Sequence, residues 1–282
     1  MSFLDEAASR LAGGPPIRVL YTDLDGTLLG PGGSLLHDAS GRPSARAAAA
    51  LADAAAGGLD IVPVSGRQQD QLRENARLLG LADAIGEAGS VIIRGGKVRY
   101  AWGACPRDLA DTPRGALEAA GALDLVLDLF AGEVRRYLPW DEGRAGGVLL
   151  HGRIDVGAGN AALARAGLGW ARLVDNGPAE GWDGREVRAY HLLPDGVGKA
   201  AAVADDLAAR GLEPAEAAAI GDSPEDATMA SAVGLYFRVA NGHDGAGDGA
   251  APIVTPGAMG DGVAQAIPAL LAAAEVAADS RG

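Results

Sequence analysis

The chain has 282 residues, 48% of them hydrophobic and only 4% aromatic, with a formal net charge of -13. That length allows one large domain or two smaller ones, and the apolar fraction is too high for a disordered chain. The acidic balance excludes a nucleic-acid or acidic-membrane partner, which would need clustered Lys and Arg, but it leaves an anionic substrate open, because a metal ion and a few local cations reverse the field inside one cleft. Cys105 is the single cysteine, so an intramolecular disulfide is impossible. Residues 1–16 carry Asp5 and Glu6 and lack the basic and apolar regions of a signal peptide, and no apolar run is long enough to span a bilayer. The expectation is a soluble cytoplasmic protein.

Residues 17–22 (IRVLYT) read as a buried parallel strand ending in turn and acidic residues. An Ala-rich helix follows over 43–57, stopped by Gly57 and Gly58. Residues 59–64 form a second strand, in which Pro63 is awkward because proline cannot donate to a ladder. A second helix is expected over 68–80, with Leu72, Leu78 and Leu79 for its buried face. After Gly86 the texture changes. Residues 91–93 and 98–100 look like strands around the Gly95-Gly96 turn. Helices near 113–129 and 161–166 follow, with strands around 134–138, 148–156 and 186–192. All four tryptophans (Trp102, Trp140, Trp170, Trp182) fall in this region. From Lys199 the alternation returns, with a helix over 199–211, strands at 217–220 and 235–240, a polar glycine-rich loop over 241–252 and a final helix from Asp261. The expected class is therefore α/β: residues 1–86 and 190–282 share one sheet, and 87–189 form an inserted α+β domain.

Four short motifs carry the chemistry. Asp23-Leu24-Asp25-Gly26-Thr27 lies just past the first strand, where open α/β sheets place their ligands, although an Asp-Gly pair is equally at home in an ordinary turn. Ser65-Gly66-Arg67 follows the second strand with a hydroxyl and main-chain N–H groups. Lys199 opens a helix, and Gly221-Asp222-Ser223-Pro224-Glu225-Asp226 follows the strand at 217–220. Each stands at a strand's C-terminal end or at a helix start, and four such placements by coincidence are much less expected than one.

On these residues the chain resembles the haloacid dehalogenase (HAD) superfamily, and within it the Cof-type phosphatases with a large cap inserted between the second and third motifs. Residues 23–27 match motif I, 64–67 motif II, Lys199 motif III, and 221–226 with Met229 motif IV; 239–242 and 261–264 are similar to stretches that follow. The resemblance implies a Rossmann-like parallel-sheet core, a C2-type cap and an Mg²⁺-dependent phosphatase acting on a small phosphorylated metabolite such as a sugar phosphate. It implies that Asp23 is the nucleophile, already ionised at neutral pH. Asp25 would be the general acid and base. Mg²⁺ would be held by Asp23, Asp222 and the main-chain carbonyl of Asp25. Ser65, Gly66 and Lys199 would hold the phosphoryl oxygens, with Thr27, Glu225 and Asp226 supporting them. Glu225 stands where the family usually has Asn, and Glu87-Ala88-Gly89-Ser90 replaces its common Asn-Gly-Ala.

Other readings compete. A sugar-phosphate mutase or phosphotransferase would use the same nucleophile, and a non-catalytic metabolite-binding protein would keep the fold while losing motif residues. A dehalogenase is disfavoured because its chemistry lacks the acid that Asp25 supplies. Residues 157–162 (GAGNAA) fit the bare dinucleotide fingerprint, a pattern with many false positives. Leu193 and Ala200 break a P-loop reading around Lys199. The four histidines show no metal-binding pairing. Arg144, His151, Arg153 and Trp140 are either substrate contacts or packing residues, Arg67 either an anion contact or a local cap, and Cys105 reads as packing.

Overall fold

The computed structural model describes residues 2–182, 184–243 and 251–279, the last five by backbone alone. The expected loop at 241–252 lies largely outside the described residues. The chain divides into two compact units: Met1–Ser65, Leu81–Asp83 and Lys199–Gly282 in one, Gly66–Gly80 and Ala84–Gly198 in the other.

The first unit opens with α1 (Phe3–Leu11), whose Ser2 cap accepts from the Asp5 N–H while Asp5 reaches back to the Ser2 N–H. β1 (Val19–Thr22), α2 (Arg46–Ala56) and β2 (Asp60–Pro63) follow. β2 is an edge strand of the five-stranded sheet. The Asp60 and Val64 N–H groups donate to β1, at the Arg18 and Thr22 carbonyls. The alternation turns the Pro63 nitrogen to the open side, where a missing donor costs nothing.

The second unit begins with α3 (Gln69–Leu78), β3 (Ala84–Gly86), β4 (Val91–Arg94) and β5 (Lys97–Tyr100). On α3, Leu72 and Ala76 are buried, but Leu78 is 72% exposed, contrary to expectation. The helical period places 72, 76 and 79 on one face and turns 78 away from it. β3, β4 and β5 form an antiparallel sheet, with Gly95 and Gly96 both at positive φ in the tight turn.

The expected helix at 113–129 is two, α4 (Pro113–Ala119) and α5 (Ala122–Leu129), separated at Gly121 with φ 75°. Then come β6 (Val134–Arg136), β7 (Val148–Gly152), α6 (Val156–Arg165), β8 (Ala171–Trp182) and β9 (Arg185–Pro194). These four strands make an antiparallel sheet in the order β6-β7-β9-β8. Leu150, Leu192, Leu173 and Tyr190 of the sheet pack with Leu117, Leu123, Val126 and Leu163 of the helices in a core of the unit's own.

The chain re-enters the first unit with α7 (Lys199–Arg210), β10 (Ala217–Gly221), α8 (Pro224–Ala227), β11 (Leu235–Arg238), β12 (Ile253–Val254) and α9 (Gly260–Asp279). Both ends of the chain share one parallel sheet, in the order β12-β11-β10-β1-β2. The α/β class therefore holds. The strands of β1 and β10 are buried on both faces, as parallel strands are.

A polar network ties α7 to this sheet. Asp206 accepts from the Tyr21 hydroxyl at 2.9 Å and from Arg210 Nε at 2.6 Å, while the rest of the Arg210 guanidinium reaches Asp60 and Asp83. Asp206→Ala removes an acceptor from a buried hydroxyl and a nearly buried guanidinium together. The expected loss of unfolding free energy is about 3 kcal/mol, read by chemical denaturation.

Candidate active site

Neighbouring parallel strands bring motif I and motif IV together. Thr22 pairs with Ile220 across β1 and β10, and the Asp23 N–H extends the ladder by donating to the Ile220 carbonyl at 3.0 Å. Asp23 thus stands beside Gly221, one residue before Asp222. The Thr22 hydroxyl and the Leu28 N–H both donate to the Asp23 carbonyl, which fixes the turn behind it. Gly26, at φ 92°, has no alternative: a Cβ there would lie 2.7 Å from Asp222 Oδ2. The Thr27 hydroxyl donates to Asp222 Oδ1 at 2.9 Å.

Lys199 is the first residue of α7, where the helix dipole disfavours a cation. Its ammonium is held instead by carboxylates, donating to Asp23 Oδ1 at 3.0 Å and to Asp226 Oδ1 at 2.5 Å. The other oxygen of Asp226 accepts from the Asp222 and Ser223 N–H groups and from the Ser223 hydroxyl. Ser223 in turn accepts from the Asp226 N–H, so the capping box of α8 also orients the partner of Lys199. Gly221 makes room, since a Cβ on it would lie 2.2 Å from Asp226 Cβ.

Carboxylate oxygens of Asp23, Asp222 and Asp226 lie within 4.8 Å of one another. Asp23 is 6% exposed, Lys199 4% and Asp226 1%. Burial, then the Asp226 charge, pushes Asp23 well above the usual carboxylate range, with Asp222 adding to the rise and Lys199 opposing it. Burial and Asp226 also raise Asp222, against the Thr27 hydrogen bond. Burial pulls the Lys199 ammonium down, but Asp226 and Asp23 outweigh it and hold the group above its ordinary value. Three carboxylates against one ammonium leave an excess of negative charge on hard oxygen donors, a set that suits a divalent cation such as Mg²⁺. Asp226 has both oxygens engaged, so Asp23 and Asp222 are the side chains that could hold an ion.

The remaining sequence candidates fall as follows. Ser65 is buried two residues past β2, on the same edge of the sheet. Asp25 is exposed, and its carboxylate is not one of the three that cluster. Glu225 is half-buried, and its charge supports that of Lys199. In the second unit, Arg67 donates to Asn75 Oδ1, a local pairing. Arg144 donates to the Gly66 and Trp140 carbonyls. His151 stacks on Tyr137 and accepts from Arg135 Nε, Trp140 is half exposed, and Arg153 is exposed. Residues 157–162 lie inside α6, so the dinucleotide fingerprint has no phosphate-binding turn there. Asn241 was not singled out from sequence, yet it donates to the Gly26 carbonyl and accepts from the Met259 N–H, bracing the motif I loop against the start of α9. Ser223 was legible as the cap in Ser-x-x-Asp.

Residues 185–267 match the sequence model of the haloacid dehalogenase-like hydrolases. No curated protein matches the chain in sequence. Solved structures do. A Thermoplasma acidophilum protein is 20% identical with a TM-score of 0.64, covering 90% of this chain and 98% of its own. A haloacid dehalogenase-like hydrolase from Bacteroides thetaiotaomicron is 17% identical with a TM-score of 0.57, over 89% of this chain and 98% of its own. A phosphatase of the superfamily from the same organism is 19% identical with a TM-score of 0.62, over 92% and 97%. The sequence match takes in motifs III and IV, and the chain shares the fold of these solved structures over about nine-tenths of its length.

Proposed function

We propose that the chain hydrolyses the phosphate monoester of a small metabolite, a sugar phosphate or similar polyol phosphate, with Asp23 carrying the phosphoryl group between two half-reactions. The observation that carries this reading is the Lys199 ammonium held between Asp23 and Asp226. It supports the reading because a buried cation lies against Asp23, where a phosphate's charge would have to be met.

In the first half-reaction an Asp23 carboxylate oxygen attacks phosphorus, and the bond from phosphorus to the alkoxy oxygen breaks. The leaving alcohol takes its proton from Asp25, whose exposure allows it to exchange protons with solvent between steps. In the second, Asp25 takes a proton from water as the water oxygen attacks phosphorus, releasing orthophosphate and restoring Asp23. Lys199, the Ser65 hydroxyl and the Gly66 main-chain N–H would steady the phosphoryl oxygens in both.

Asp23 and Asp222, with the Asp25 carbonyl, would hold Mg²⁺, which would supply positive charge to offset the repulsion between nucleophile and phosphate. That charge would act on Asp23 in the same direction as Lys199, against burial and the neighbouring acids. Asp226, with its oxygens already taken, orients Lys199. The second unit, inserted in the chain between Ser65 and Lys199, is the part that would select the leaving group.

Asp23→Asn is expected to lower phosphate release by at least about 10³-fold while the far-UV circular dichroism spectrum is unchanged. Appreciable residual turnover would remove Asp23 from the nucleophile's role. Asp25→Asn is expected to reduce kcat by about 10² to 10⁴-fold; an effect confined to KM would contradict the acid–base assignment. Gly26→Ala pushes the Asp222 carboxylate aside, and a displacement of that kind should cost about 100-fold in rate. A Mg²⁺ titration should show half-activation moving to higher metal concentration.

A further inference from the structure

Glu87-Ala88-Gly89 is one of the two places where the sequence departs from the pattern of the family it resembles, and the fold there is unusual. Glu87 and Ala88 take φ of 50° and 57°, a region that L-residues rarely adopt, and Gly89 follows at 97°. This run delivers a carboxylate with no exposed surface into the interior of the second unit. There Glu87 accepts from the Gln69, Ala145 and Gly146 N–H groups. Its own N–H donates to the Arg67 carbonyl at 2.9 Å. Burial pushes the Glu87 carboxyl above its ordinary range, against the charge of the Arg144 guanidinium, which is also buried and donates 2.7 Å to the Gly66 carbonyl and 3.0 Å to the Trp140 carbonyl.

Main-chain groups of Gly66 and Gln69, in the stretch that follows Ser65, are therefore gripped by two ionic side chains, and the Arg67 carbonyl by the Glu87 N–H. Burying an arginine and a glutamate is costly, and a unit with an apolar core of its own has cheaper ways to hold a turn. Both groups spend their hydrogen bonds on backbone, which is how a peptide plane is fixed. We infer that Arg144, backed by Glu87, is a positioning residue that fixes the Gly66–Arg67 peptide and so restrains the glycine whose own N–H lies in the preceding peptide, next to Ser65. The inference rests on the phosphatase reading, in which that N–H and the Ser65 hydroxyl hold the phosphoryl group. Arg144 acts through Gly66 and touches no substrate in this assignment. A lysine cannot replace it, because one ammonium lacks the fork that spans two carbonyls.

The test is Arg144→Ala, read by hydrogen–deuterium exchange over 64–69, by steady-state kinetics with Mg²⁺ and by thermal unfolding. Exchange in 66–69 should rise about tenfold with the rest of the chain unchanged, and kcat should fall about tenfold with KM within twofold. Guanidinium ion added to the variant should restore part of the loss. Unchanged exchange in 66–69 overturns the inference, as does faster exchange with an unaltered kcat, or a lowered melting temperature as the sole effect. Should Arg144→Ala not fold, Arg144→Lys keeps the charge facing Glu87, and its kcat should still fall at least about threefold; a kcat equal to wild type would overturn the assignment. A wild-type protein that releases phosphate from no ester would instead refute the phosphatase reading, and the exchange measurement alone would then decide whether Arg144 positions the segment.

Discussion

One ammonium group divided between two buried carboxylates sets the arrangement of the edge where motifs I, III and IV meet. Lys199 reaches Asp23 and Asp226 because β1 and β10 are adjacent and because α7 begins at that lysine. Taking these charges out of water is expensive, and the Coulomb attraction among them offsets the cost only while the set is complete. The first unit offers its own comparison. Arg210 also meets three aspartates, Asp206, Asp60 and Asp83, and its planar fork answers all of them. Lys199 answers two. Asp222 is left to a threonine hydroxyl and to whatever cation arrives. The same count of charges makes a closed structural knot in one place and leaves an acidic group without a matching cation side chain in the other.

The sheet supplies what the side chains cannot supply for themselves. A parallel ladder that continues one residue past β1 fixes Asp23 in register with Gly221, and glycines at 26 and 221 leave space for the two aspartates opposite them. The restraint on this edge is mostly backbone geometry. Its chemistry is mostly charge.

Motifs at strand ends were legible in the sequence because their spacing follows from local rules: an apolar strand, then acid, then glycine. The β4–β5 hairpin and the return of the chain to one sheet were legible for the same reason. β8 was not, since Asn176, Gly177, Pro178 and Gly181 read as turn residues, and the strand exists through pairing with β9, with register shifts that accommodate them. The start of α6 was hidden by Gly157 and Gly159. Gly159 is required by packing, as a Cβ there would lie 2.5 Å from Leu173 Cδ1, and tertiary contact overrides its poor helix propensity. The helix at 113–129 was read as continuous because a glycine at positive φ leaves no periodic trace. Asn241 carries no chemical signature in one dimension, and its role as a brace appears only when 26 and 259 are brought to it by the fold.

The second unit begins one residue after Ser65 and ends one residue before Lys199, and it has an apolar core of its own. The chain is thus written as a charge-bearing frame with an insert, joined through its motif residues. Substitutions within the insert's core can accumulate without altering Asp23, Asp222, Asp226 or Lys199 themselves. That separation gives evolution, or an engineer, a region that can change while the clustered aspartates and their lysine stay as they are.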